Sequence, residues 1–157
     1  LVVFADGESD QLVITDYIEV TGSTSAAEII VDNGDTGTSS TGTWGISGGD
    51  DPYGTNSLWA RDSSSYRWSY TPQKSGLYRV YMWWTEYNSR GTAIPVEVKH
   101  RYGTAAITVN QQTNGGKWNS IGTYRMLAGQ SYYVQINTTV DSSTVCADAV
   151  RIQWISD

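Results

Sequence analysis

Residues 76–87 read Gly-Leu-Tyr-Arg-Val-Tyr-Met-Trp-Trp-Thr-Glu-Tyr, and their alternation decides the fold class. At a repeat of two, Tyr78, Val80, Met82 and Trp84 fall on one face, and Leu77, Arg79, Tyr81, Trp83 and Thr85 fall on the other. The first set is uniformly large and suits a core. The second carries a cation and suits a wet face. No convincing amphipathic helix is found in the chain.

The same pattern extends outward. Short apolar runs separated by Gly, Asn, Asp and Ser recur along the chain, which is the pattern of an all-β sandwich or jelly roll. Strands are expected at Leu12–Val20, Glu28–Asp32, Thr41–Ile46, Ser57–Arg61, Ser65–Thr71 and Gly76–Tyr87. Further strands are expected at Ala93–Tyr102, Ala105–Asn110, Lys117–Met126, Ser131–Asn137 and Val145–Ile155. Loops are expected at Asn33–Ser40, Gly48–Gly54, Asn88–Thr92, Gln111–Gly116 and Asp141–Thr144, each rich in turn formers. In Ser65–Thr71, Tyr66, Trp68 and Tyr70 share an inward face opposite Arg67 and Ser69.

A length of 157 residues fits one sandwich, read here as residues 26–157, behind an N-terminal strand-forming arm at 1–25. In the arm, Leu1–Ala5 is apolar, Asp6–Gln11 is polar and Leu12–Val20 is a second strand candidate. It is either an added edge strand of the same sandwich or a strand donated to another molecule through Leu12, Ile14, Ile18 and Val20. The absence of Met at Leu1 reads as a mature or excised product.

Composition narrows the partners. The chain has seven Trp and eleven Tyr against one Phe, on a Ser/Thr/Gly-rich background. Trp and Tyr suit positions with one end against protein and the other against water, and their rings stack on the C–H faces of sugars. The same rings also favour strands and can simply knit a sandwich together. A net charge of −6 argues against nucleic acid and against a polybasic membrane contact. No apolar run approaches the roughly 20 residues that span a bilayer. Cys146 is alone, which removes an intrachain disulfide and a cysteine-based metal site. Low Lys and Cys with abundant Ser, Thr, Gly and Trp point to an exported prokaryotic protein at the cell surface or beyond it.

The candidate binding platform is Tyr81 and Trp83, neighbouring rings on the Arg79-bearing face of Gly76–Tyr87. His100 falls in phase with Val96, Val98 and Tyr102 and reads as a hydrogen-bonded structural residue. Asp148 sits between Cys146 and Val150 on an inward face, where a carboxylate needs a partner. The acidic loops Asp32-Asn33-Gly34-Asp35 and Asp50-Asp51 match no complete Ca²⁺ loop, and turn chemistry explains them equally well, so no metal or other cofactor is expected. No nucleophile elbow, zinc-protease helix or phosphate loop is present in the sequence. Acid pairs need a cleft, which a small single sandwich seldom offers, so no enzyme is expected. The single sequon Asn137-Thr138-Thr139 is a weak signal for glycosylation.

One series of motifs resembles a known family. In order, it comprises Ile30-Val31-Asp32-Asn33 with Gly37, Thr41-Gly42-Thr43-Trp44, Tyr70-Thr71-Pro72 and Gly76-Leu77-Tyr78-Arg79-Val80-Tyr81-Met82-Trp83. Ala93-Ile94-Pro95-Val96 leads through Val98 to His100, then to Asn114-Gly115-Gly116-Lys117-Trp118. Ile121-Gly122-Thr123-Tyr124, Gly129 and Ala147-Asp148-Ala149-Val150-Arg151 close the series. Spanning residues 29–154, it resembles the golvesin-type C-terminal domain also found on xanthan lyases. The resemblance implies a jelly-roll-like β-sandwich similar to carbohydrate-binding modules, exported and without catalysis of its own, and it implies no particular site residues.

Two functions follow as expectations. The leading one is a structural or adhesive extracellular subunit, linked head to tail into a surface filament by its N-terminal strand. The alternative is a polysaccharide-binding module using Tyr81, Trp83 and Arg79. Stacking worth on the order of 1 kcal/mol per ring gives micromolar to millimolar affinity there.

Overall fold

A computed structural model describes residues 3–5, 8–10, 27–139, 141 and 143–157, and every regular element among them is a strand. In chain order these are β1 (Val3–Ala5), β2 (Glu8–Asp10), β3 (Glu28–Val31), β4 (Thr38–Thr41), β5 (Gly45–Ile46), β6 (Leu58–Ala60) and β7 (Ser65–Tyr70). They continue as β8 (Gly76–Trp83), β9 (Ile94–His100), β10 (Gly103–Val109), β11 (Asn119–Met126), β12 (Tyr132–Asn137), β13 (Val145–Ala147) and β14 (Ala149–Ser156).

Two antiparallel sheets face each other across one core. The five-stranded sheet runs β10-β9-β12-β7-β4, and the four-stranded sheet runs β11-β8-β14-β3. Alternation builds the core: Tyr66, Trp68 and Tyr70 from β7, Val96 and Val98 from β9, and Val134 and Ile136 from β12 point inward from one side. Tyr78, Val80 and Met82 from β8, with Val150 and Ile152 from β14, answer from the other. The inward set of Gly76–Tyr87 is therefore buried as its pattern requires. Trp84, just past β8, is buried as well and donates its indole N–H to the Thr113 carbonyl at 3.1 Å.

A third sheet, β13-β6-β5, covers one part of this core. The expected strand Val145–Ile155 divides at Asp148, with β13 pairing β6 and β14 pairing β8 and β3. The division has a visible cause, since the Asp148 carbonyl accepts the Trp68 indole N–H at 3.1 Å instead of a ladder partner. The buried Gln111 amide then pairs with both backbone groups of Cys146, at 2.8 and 2.9 Å, and acts as a strand along that edge of β13.

Further expectations differ from the structure. Thr38–Ser40, expected in a loop, lies in β4, and the expected strand Thr41–Ile46 is interrupted between β4 and β5. Thr-Ser-Ser-Thr has no apolar alternation, yet it pairs along β7, and the Thr41 hydroxyl adds a bond to that strand, 2.9 Å from Ser65 Oγ. The polar stretch Asp6–Gln11 contains β2, which pairs β1 in the register Phe4 to Ser9. Tyr102 is 71% exposed and not part of an inner face, because the chain turns after β9 at His100. The strand Leu12–Val20, including Leu12, Ile14, Ile18 and Val20, lies outside the described residues.

Candidate functional site

The expected platform lies on the outer face of the four-stranded sheet. Tyr81 and Trp83 point away from the core and are half-buried, while Arg79 is exposed. Their faces are not open. The Arg151 guanidinium carbon sits 4.1 Å from the Tyr81 ring centre and 5.0 Å from that of Trp118. Trp83 meets Trp118 edge-on at 5.3 Å and Tyr53 at 5.7 Å, with ring planes 78° and 65° apart. Its indole N–H is donated to the Asp51 carbonyl at 2.9 Å. These rings fasten the loop before β6 and the loop before β11 onto the sheet.

A different place offers an accessible ring. A pocket of about 180 Å³ opens between the small sheet and the loop after β8, lined by Ser47, Trp59, Arg61, Tyr87, Arg90 and Thr144 among others. Alternation along Leu58–Ala60 turns Trp59 outward on β6, where it is 38% exposed. Gly45 lies opposite it on β5, and a Cβ there would stand 3.2 Å from Trp59 Nε1, so the missing side chain makes room for the indole. Tyr87 is 57% exposed at the rim. The Trp44, Trp68, Trp83, Trp84 and Trp154 indoles all donate to backbone carbonyls. Trp59 makes no such bond among the described residues, and its ring is partly exposed.

The pocket floor is cationic. Arg90 is 4% exposed, and its guanidinium donates to Ser47 Oγ at 2.7 Å, Thr144 Oγ1 at 3.3 Å and Thr85 Oγ1 at 3.4 Å. Burial lowers its pKa from the usual arginine value. Thr85 Oγ1 is also 2.9 Å from Ser57 Oγ, so a ring of hydroxyls holds the head of Arg90. The main chain is equally fixed, through Arg90 N–H to the Tyr87 carbonyl at 3.0 Å and Gly91 N–H to the Thr144 carbonyl at 3.1 Å. Arg61 stands outside, its guanidinium carbon 5.8 Å from the Trp59 ring centre. Hydroxyls, guanidinium groups and an open indole can bind a polyol and orient it. Beyond Tyr87 a larger polar groove of about 490 Å³ carries Asp50, Asp51 and Glu86, with Glu86 accepting the Gly115 N–H at 2.9 Å.

The remaining candidates serve the scaffold. His100 accepts the Tyr102 N–H on Nδ1 at 3.3 Å and packs on Tyr124 at 5.4 Å. Asp148 is fully buried; its Oδ2 accepts the Tyr53 N–H at 3.3 Å, and its Oδ1 has no partner among the described residues. Burial, with the charge of Asp32 as a lesser cause, pushes the Asp148 carboxyl up to about 8. Asp32 accepts the Asn33 N–H at 2.8 Å and Asp35 accepts the Asp32 N–H at 2.9 Å, which is turn chemistry.

Sequence reading missed Trp59, Arg61, Tyr87 and Arg90 as a group. The outward alternation of Trp59 was available as a signal, but nothing local marks Arg90 within Asn88–Thr92.

Comparison with known proteins places the whole sandwich. Residues 29–154 match the family model described as the Golvesin C-terminal domain. A xanthan lyase from Bacillus sp. (strain GL1) is 39% identical over 132 residues, a match covering 78% of this chain and 14% of that protein. The solved structure of a Paenibacillus xanthan lyase superposes with a TM-score of 0.75 at 38% identity, covering 83% of this chain and 13% of that one. A GH26-CBM35 β-(1,4)-mannanase from Podospora anserina matches at TM-score 0.59 and 10% identity, covering 84% of this chain and 28% of that chain, and shares the fold alone. The chain thus spans about one-seventh of the length of the xanthan lyase it matches.

Proposed function

The chain belongs to the Golvesin C-terminal domain family, and from that premise we propose that it is a non-catalytic, extracellular polysaccharide-binding module. The observation that carries this reading is the pocket at Trp59, an open indole beside a rigid set of hydroxyl and guanidinium groups. Sugar sites combine these parts: an aromatic face takes the C–H surface while a few fixed polar groups orient the hydroxyls. The similarity to a segment of xanthan lyase adds a polysaccharide context and makes xanthan the first polymer to try.

Affinity electrophoresis through gels containing xanthan, mannan or other polysaccharides tests the reading. The native chain is expected to be retarded in at least one gel, Trp59→Ala to run freely and Trp83→Ala to stay retarded. Retardation lost in Trp83→Ala and kept in Trp59→Ala would move the site to the Tyr81, Trp83 and Arg79 face. No retardation in any polymer would overturn the reading.

The second reading is an adhesive or structural subunit that adds Leu12–Val20 to a neighbour's sheet. It draws on the sheet edges: among the described residues, β3 and β4 each end a sheet with no further strand beside them. Filaments in negative stain that vanish when residues 1–20 are removed would favour it, and monodisperse particles in both samples would exclude it.

A further inference from the structure

We propose that the Trp59 pocket selects an acidic sugar, with the ring carried by Trp59 and the carboxylate bound between Arg90 and Arg61; this deepens the polysaccharide-binding reading and rests on it. The argument begins with what Arg90 lacks. Buried arginines are normally paired with a carboxylate, because removing a guanidinium from water costs several kcal/mol. Arg90 is 4% exposed, yet among the described residues its side-chain partners are the neutral hydroxyls of Ser47, Thr85 and Thr144, and its Nε has none. The ion pairs among the described residues are Lys74 with Asp157 and Arg151 with Glu28, both away from this pocket. The floor therefore holds a fixed positive charge for which the described residues supply no counter-ion.

Position turns that deficit into a site. Arg90 lines the pocket that Trp59 and Tyr87 border, and Arg61 stands at its mouth. Trp59, Arg90 and Arg61 thus line one pocket, and a planar guanidinium fork matches a carboxylate better than a neutral hydroxyl. The surrounding structure is already ordered, since Ser47 Oγ also accepts the Gly49 N–H at 3.1 Å and Thr144 Oγ1 lies 3.0 Å from Ser89 Oγ. Little ordering is left for the ligand to impose. The long-range field works the other way, because the chain carries a net charge of −6 and the adjoining groove holds Asp50, Asp51 and Glu86. Selection must then arise from the short-range pairing and not from attraction of polyanions in general.

Isothermal titration calorimetry on the full chain tests this with oligouronides of galacturonate, glucuronate-containing and mannuronate type, each beside its carboxyl-reduced counterpart. At least one acidic oligomer is expected to bind tenfold or more tightly than its reduced form. Arg61→Gln, a change at an exposed position, is expected to narrow that ratio several-fold. Arg90→Lys, checked for native circular dichroism, is expected to narrow it further. Equal affinities for every acidic and reduced pair would overturn the acidic-sugar inference and leave sugar binding intact. An acid preference unchanged in both variants would also overturn it. Absence of binding to any oligomer, acidic or reduced, together with free migration in every polysaccharide gel, would overturn both.

Discussion

Asp148→Asn should change how stability depends on pH far more than it changes stability at any one acid pH. Asp148 is fully buried between β13 and β14, and its carboxyl is pushed up from the ordinary 3.8 to about 8, chiefly by burial. A carboxyl raised by folding contributes its full share below the unfolded value of 3.8. That share is lost as pH rises toward 8, because the unfolded chain releases a proton that the folded chain must keep. Each unit is worth about 1.4 kcal/mol, so the loss from this one group grows by about 4 kcal/mol between pH 5 and pH 9. That is a large part of a typical domain's stability of about 5–15 kcal/mol. An asparagine cannot ionise, and its amide oxygen can still accept the Tyr53 N–H that Asp148 Oδ2 holds at 3.3 Å. Its new N–H₂ meets the place where Oδ1 has no partner among the described residues, a pH-independent cost of about 1–3 kcal/mol. Guanidinium denaturation of both proteins at pH 5, 7 and 9 reads the difference directly. The variant should gain on the native chain by about 4 kcal/mol across that range, crossing from less stable to more stable. Parallel profiles would refute the reasoning, because they would mean that Asp148 is ionised in the folded protein throughout.

Three further outcomes follow. Trp68→Phe removes the indole N–H from the Asp148 carbonyl in the middle of the core, and thermal denaturation should show a loss of about 1–3 kcal/mol; a smaller effect would mean that the division of β13 from β14 does not depend on that bond. Gly49→Ala places a Cβ 2.6 Å from Thr85 Oγ1, in the hydroxyl ring that holds Arg90, so the variant should unfold about 1–3 kcal/mol more easily and bind polysaccharide less well. Arg90→Met replaces a buried cation without a carboxylate by an apolar chain of similar length. Its stability should stay within about 2 kcal/mol of the native chain or rise, while any preference for an acidic oligomer measured by calorimetry disappears.

The fold was legible because its decisive residues lie on single strands. Tyr78, Val80 and Met82 alternate with Leu77, Arg79 and Tyr81 within eight residues of β8, and that local pattern is the same physical fact as the buried face. Two strands escaped notice for a related reason: β2 and β4 are polar throughout, and backbone pairing alone gives no periodic trace in side-chain type. The outer aromatic face was legible in direction but not in state. Period two sends Tyr81 and Trp83 outward, but whether a ring stays open depends on Arg151, Trp118 and Tyr53, which arrive from a distant strand and two loops. The pocket was less legible still. Ser47, Trp59, Arg61, Arg90 and Thr144 are spread over nearly a hundred residues and meet only because β13, β6 and β5 form a separate small sheet beside the loop after β8.

That sheet exists because Asp148 interrupts the last strand, and the interruption links stability to the site. The Asp148 main chain holds Trp68, and its side chain holds Tyr53 in the loop that follows Ser47 and Gly49. Ser47 in turn fixes the Arg90 guanidinium at 2.7 Å. One costly buried acid and one costly buried base thus bind the same loop at different points. Neither group improves a core, and Val, Leu or Met would pack as well in such surroundings. What they accompany is a buried cationic floor beside the partly exposed Trp59 indole.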